Sequence, residues 1–123
     1  MLTKDTILYK KAFTFAVRVV KLNRFLINEK REFVLSKQLL RCGTSIGANI
    51  SEANGAISAS DFSSKISIAY KESLETKYWL SLLKETEFIT ENDCSALHRD
   101  ADDLSKILVS ILRTSRLNTL SKQ

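Results

Sequence analysis

No proline interrupts the 123 residues of this chain. Proline removes a backbone donor and clashes with the preceding helical turn, so its absence leaves long helices unobstructed. Apolar residues recur at spacings of three and four rather than two, which is the period of a helix and not of a strand. Four such stretches account for nearly the whole sequence. The fold class expected is therefore all-α: an antiparallel up-down-up-down four-helix bundle, in a single domain over residues 1–123.

The first helix is expected over about 5–28, with Leu8, Ala12, Phe15, Val19, Leu22 and Leu26 forming one buried line. The second is expected over about 32–56, where Leu35, Leu39, Cys42, Ile46, Ile50 and Ala53 keep the rhythm while Gly43 and Gly47 interrupt it. Each glycine costs a helix interior about 1 kcal/mol against alanine. Two readings follow: a close approach of a neighbouring helix, or a break into two shorter helices near Gly43. The third helix is expected over about 61–89, opened by Ser58 or Ser60 as cap, and shows apolar residues on two sides, including Ile68, Tyr78 and Trp79. An apolar side left over in a four-helix subunit predicts self-association. Thr90 and Asp93 open the fourth, expected over about 91–115, whose Cys94, Leu97, Ala101, Leu104, Leu108 and Ile111 follow a seven-residue seam. The polar residues from Arg116 to Gln123 are expected to fray.

Hydrophobic residues make up 44% of the chain and charged residues 27%, enough apolar content for a core without metal or disulfide support. Cys42 and Cys94 lack the near Cys or His partners of a zinc spacing and read as buried thiols. The apolar run from Ala12 to Val20 is broken by Arg18 and is too short to span a bilayer, and nothing resembles a signal peptide. A soluble, cytoplasmic protein with no membrane partner is expected.

Chemistry is thinly represented. The one histidine, His98, falls among Arg99, Asp100 and Asp102 on a polar helix face, and no Glu-x-x-His pair exists to build a di-metal bundle site. Residues 43–47 have glycine spacing but lack the Gly-Lys-Ser/Thr ending of a phosphate loop. No catalytic residue, metal ligand or cofactor is assigned, and a non-enzymatic protein is expected.

Two constellations stand out. Glu72 and Glu75 share a helix face with Ile68, Trp79 and Leu82, so something must neutralise them. Arg41, Ser45, Asn49 and Glu52 of the second helix are positioned to meet them, across the bundle or across a subunit boundary, as a binding pocket or as a polar layer that fixes register. The second constellation is electrostatic. The net charge of +5 is unevenly spread: residues 1–41 carry +7, residues 42–89 carry −2 and the remainder is neutral. Helical geometry puts Lys4, Lys11 and Arg18 nearly in line, with Lys10, Lys21 and Arg24 beside them; Lys30, Arg31 and Lys37 continue the charge past the turn. Cationic strips bind phosphate backbones by releasing counterions, and an exposed Phe25 within the strip can stack a base. The competing reading is a solvated helix face.

The run Gln38-Leu-Leu-Arg-Cys-Gly-Thr-Ser-Ile-Gly-Ala-Asn-Ile-Ser-Glu-Ala53, with Glu75-Thr-Lys-Tyr-Trp-Leu80, resembles the bacterial four-helix-bundle family of the 23S rRNA intervening-sequence proteins. The likeness covers about residues 10–115, and Cys42 departs from the serine common there. It implies a ring-shaped homo-oligomer, typically a homopentamer, and places Arg41, Ser45, Asn49, Glu52, Glu72 and Glu75 within the shared pattern. Members are named for reading frames inside insertions in 23S rRNA genes. A similar bundle, the accessory variability determinant of diversity-generating retroelements, is associated with a reverse transcriptase and with nucleic acid. The functional expectation is weak, non-specific binding of RNA or DNA through the basic face of the first helix; the alternative is a protein–protein interaction scaffold that binds no nucleic acid.

Overall fold

In a computed structural model, which describes residues 6–121 and their side chains as far as residue 115, the chain forms four α-helices. They are α1 (Ile7–Asn28), α2 (Leu35–Asn54), α3 (Ala59–Glu85) and α4 (Glu91–Ser121). Among the described residues there is no strand. The helices pack as a bundle, with α2 against α3, α3 against α4 and α1 against α2 in broad contact, and α1 against α4 in the loosest seam. Cross-helix pairs run in opposite senses: Glu52 meets Lys65 while Arg41 meets Glu72 and Glu75.

Each helix starts where a side chain can take an orphan backbone donor. Thr6 accepts from the Tyr9 amide (3.2 Å), Ser58 from Asp61 (3.0 Å) and Thr90 from Asp93 (3.1 Å). The start of α2 is different and lies three residues later than the sequence suggested. The Glu32 carboxylate, 8% exposed, accepts from the amides of Val34 (3.0 Å), Leu35 (2.8 Å) and Ser36 (2.7 Å). Burial pushes this carboxyl upward, but the three amides and the Ser36 hydroxyl outweigh it and hold it below its ordinary value. Asn23 of α1, buried, donates to the Ser36 carbonyl (3.1 Å) and ties this cap to the bundle.

Helix α3 ends at Glu85, four residues before the expected boundary. Glu87 takes a left-handed conformation (φ 67°), and the amides of Glu87 and Phe88 return to the carbonyls of Lys84 (3.0 Å) and Leu83 (2.9 Å). This pattern closes helix ends around glycine in most proteins, and here a glutamate occupies the glycine position. Helix α4 continues to Ser121, beyond the expected end at 115.

The core is the one the periodicity implied. Leu8, Ala12, Phe15, Val19 and Leu26 meet Leu39, Ile46, Ile50 and Ala53, then Ile66, Ala69, Leu80 and Leu83, then Leu97, Ala101, Leu104 and Leu108. Cys42 and Cys94 are free and buried. Helix α2 is continuous through both glycines, so the break near Gly43 does not occur. A methyl built on Gly43 would lie 2.9 Å from both Val19 Cγ atoms, a contact that real side chains avoid. At Gly47 the same methyl would meet the Ala12 backbone and Cβ at 3.5–3.6 Å, an ordinary distance. Helix α1 thus presses the Val19 side chain against Gly43 and brings its backbone close at Gly47.

Candidate nucleic-acid interface

The basic side of α1 faces away from the core. Lys10, Lys11, Lys21 and Arg24 are exposed, as are Lys30 and Arg31 in the α1–α2 turn and Lys37 in the first turn of α2. None of these seven has an ion-pair partner among the described residues. Lys4 lies outside the described residues. Arg18 behaves differently from its neighbours: it turns toward α4 and pairs with Asp100. A helical wheel treats α1 alone, whereas packing brings the acidic edge of α4 alongside. Lys10 and Lys11 line a cavity of about 280 Å³ together with Thr14, Asp100 and Asp103. Beyond Asp100 and Asp103 the strip continues through Lys21, Arg24, Lys30 and Arg31, where Lys30 shares a cavity with Glu87, Glu91 and Asp93.

Aromatic residues stand at that end. Phe25 is 41% and Phe33 55% exposed, and the Lys30 ammonium lies 5.8 Å from the Phe25 ring centroid. Phe25 and Lys30 form one side of a cavity of about 380 Å³ whose other side is the α3–α4 turn, with Phe88 and Ile89. The sequence had flagged Phe25, but Phe88 joins it only through the tertiary fold.

The polar cluster on α2 and α3 is assembled in part. Arg41 binds Glu72 (3.2 Å) and Glu75, and Glu75 also accepts from Trp79 Nε1 (2.9 Å). The Trp79 hydrogen bond, with Arg41 beside it, holds the Glu75 carboxyl below its ordinary value despite some burial. The remaining members are separate. Asn49 donates to the carbonyl (2.8 Å) and hydroxyl (2.9 Å) of Ser45 on its own helix, and Glu52 pairs with Lys65 (3.6 Å). Lys65 was not foreseen as that partner; it lies opposite Glu52 only once the α2–α3 register is set.

Ligand atoms of Cys42, Glu72 and Glu75 fall within 4.8 Å of one another, a spacing a metal could use. The donor set does not fit one. Burial pushes the Cys42 thiol up to about 11, its sulfur accepts a hydrogen bond from Thr76 (3.3 Å), and both carboxylates are engaged by Arg41. The arrangement is a closed ion-pair network over a buried thiol. His98 is half-buried on α4.

A second surface is apolar. Between α1 and α2 runs a groove of about 250 Å³, walled by Tyr9 and Phe13 and floored by Thr44, Gly47, Ala48 and Ser51. The two rings stack with centroids 6.3 Å apart, and Phe13 is 59% exposed. On α3, Ile68, Leu74 and Tyr78 are also exposed, in keeping with the two apolar sides read from the sequence. No described helix is long and apolar enough to cross a membrane.

Comparison with known proteins converges on one family. No curated protein matches the chain. A solved structure of a protein of unknown function from the S23 ribosomal protein family of Bacteroides thetaiotaomicron is 51% identical. It superposes with a TM-score of 0.85, covering 86% of this chain and 98% of that one. The family model described as 23S rRNA-intervening sequence protein matches residues 4–110, and with this fold and these motifs the chain belongs to that family.

Proposed function

We propose that this protein is a non-enzymatic, cytoplasmic, oligomeric bundle that binds RNA or DNA weakly and without sequence readout through the basic side of α1 and the adjoining turn. The observation that carries the reading is the set of seven exposed cations, Lys10, Lys11, Lys21, Arg24, Lys30, Arg31 and Lys37, with no carboxylate partner among the described residues. Unpaired surface cations on one edge are what counterion release rewards. The opposed α2–α3 pairs support an up-down-up-down subunit, and the exposed apolar groove between α1 and α2 supports self-association; a ring, with a homopentamer favoured, is what the resemblance to the 23S rRNA intervening-sequence family implies. Five copies at +5 each carry +25, so weak sites acting together gain avidity.

The test is charge reversal. A Lys10→Glu/Lys21→Glu/Arg24→Glu variant should keep its helical content and mass in solution yet lose binding to labelled structured RNA and duplex DNA at low salt. Retained binding would remove the basic side of α1 as the interface. The exposed groove also favours a second reading, a scaffold that docks a protein partner and leaves the basic face to solubility. That reading gains if the wild-type oligomer binds no nucleic acid at low salt. The Arg41–Glu72–Glu75–Trp79 network is read as a polar layer fixing the α2–α3 register, because both carboxylates already meet Arg41 within the subunit.

A further inference from the structure

We infer that the cavity at the α1–α2 end of the bundle takes an unpaired nucleobase, so that the preferred partner is single-stranded nucleic acid rather than duplex. This inference rests on the nucleic-acid reading above and deepens it. The cavity, about 380 Å³, lies at the small end of the range typical of ligand sites, roughly 300–1,000 Å³. Its walls are aromatic: Phe25 on α1 and Phe88 on the α3–α4 turn. Phe25 is 41% exposed, so one ring is open to a stacking partner without any loss to the core. Lys30, at 5.8 Å from the ring centroid, sits near the outer limit of a cation–π contact, and its flexible chain can exchange that contact for a phosphate.

Lys84 and Glu91 of the cavity wall pair with each other (3.3 Å), and the remaining charged groups divide by sign. On the α1 side are Lys30 and the neighbouring exposed Lys21, Arg24 and Arg31, none of them ion-paired among the described residues. On the opposite side, besides the Lys84–Glu91 pair, are Glu87 and Asp93. Carboxylates repel phosphate but accept hydrogen bonds from the exocyclic amino groups of bases. A strand with its backbone along the cations and one base turned into the cavity satisfies both sides. A duplex cannot, because its base faces are stacked inside and its pairing edges are occupied; only a free base offers a face and an edge together.

The test compares an unstructured 20-nucleotide strand with a 10-base-pair duplex, which offer nearly equal numbers of phosphates, at one salt concentration. Wild type should bind the strand about tenfold more tightly, the order expected for one stacked base. Phe25→Ala should abolish that preference while leaving duplex affinity and helical content unchanged, and Phe25→Trp should restore it. Equal affinity of wild type for strand and duplex, or a preference that survives Phe25→Ala, would overturn the inference and leave the basic-face reading standing. Absence of binding to either probe at low salt would overturn both.

Discussion

The two helix-interior glycines of α2 should respond in opposite directions to the same added methyl group. Alanine is favoured over glycine in a helix by about 1 kcal/mol, so with free space each replacement would stabilise. At Gly47 the nearest atoms to the new Cβ are 3.5–3.6 Å away, and Gly47→Ala should realise most of that gain. At Gly43 the new Cβ would stand 2.9 Å from both methyls of Val19, itself fully buried and β-branched, with little rotamer freedom in a helix. Overpacking of this kind costs about 1–3 kcal/mol, which exceeds the propensity gain, so Gly43→Ala should destabilise by about 1 kcal/mol net. For a domain of this size about 1 kcal/mol moves Tm by about 4 °C, so the two variants should melt about 8 °C apart. Thermal unfolding by circular dichroism, with mass in solution recorded, reads the difference. Val19→Ala in the Gly43→Ala background should recover part of the loss, giving a favourable coupling of about 1 kcal/mol between positions 19 and 43. If Gly43→Ala melts at or above Gly47→Ala, the close approach of α1 and α2 at this point is wrong.

Glu32→Gln should cost about 1–2 kcal/mol at neutral pH, because a charged, buried acceptor serving three backbone amides is replaced by a neutral one. Since the folded-state carboxyl lies below its ordinary value of 4.5, its stabilisation is present above that value and is lost as pH falls through the folded pKa. A Tm series from pH 7 to pH 3 should therefore fall less steeply in the variant. Glu87→Gly relieves a left-handed conformation that costs a non-glycine residue about 1–2 kcal/mol, offset by extra unfolded-state entropy. The net gain should be about 0.5–1 kcal/mol in urea unfolding, and a loss would contradict the turn geometry. Asn54 has both side-chain polar atoms shielded and without a hydrogen bond, so Asn54→Ala should stabilise by about 1 kcal/mol. A destabilised variant would mean that the amide has a partner.

What the sequence made legible was whatever a single helix determines. The α1 stripe from Leu8 to Leu26 and the α4 seam from Leu97 to Leu108 are buried as their spacing required, because burial follows helical phase. Ser58 and Thr90 cap as expected, since capping is set within four residues. Boundaries failed where the signal was non-standard. The end of α3 carries Glu87 where a glycine would have announced it, and the start of α2 is held by a carboxylate two residues before the cap position. The glycine pair was noticed, but only the packing tells Gly43 from Gly47. The candidate interface divides in the same way. Arg41 meeting Glu72 and Glu75 was legible because the apolar face left those carboxylates in need of a cation. Arg18 turning to Asp100, Glu52 pairing with Lys65, and Phe88 closing the cavity beside Phe25 all depend on inter-helix register, which no single-helix wheel contains.

The most direct test of the nucleic-acid reading is the salt dependence of binding to labelled RNA and duplex DNA, measured on a sample whose mass is fixed by light scattering. With three or four phosphates neutralised per site, log K should fall against log salt with a slope of about −3 for duplex. Binding that is strong and insensitive to salt, or absent at low salt from a confirmed oligomer, would contradict the assignment of the basic face of α1 as the interface.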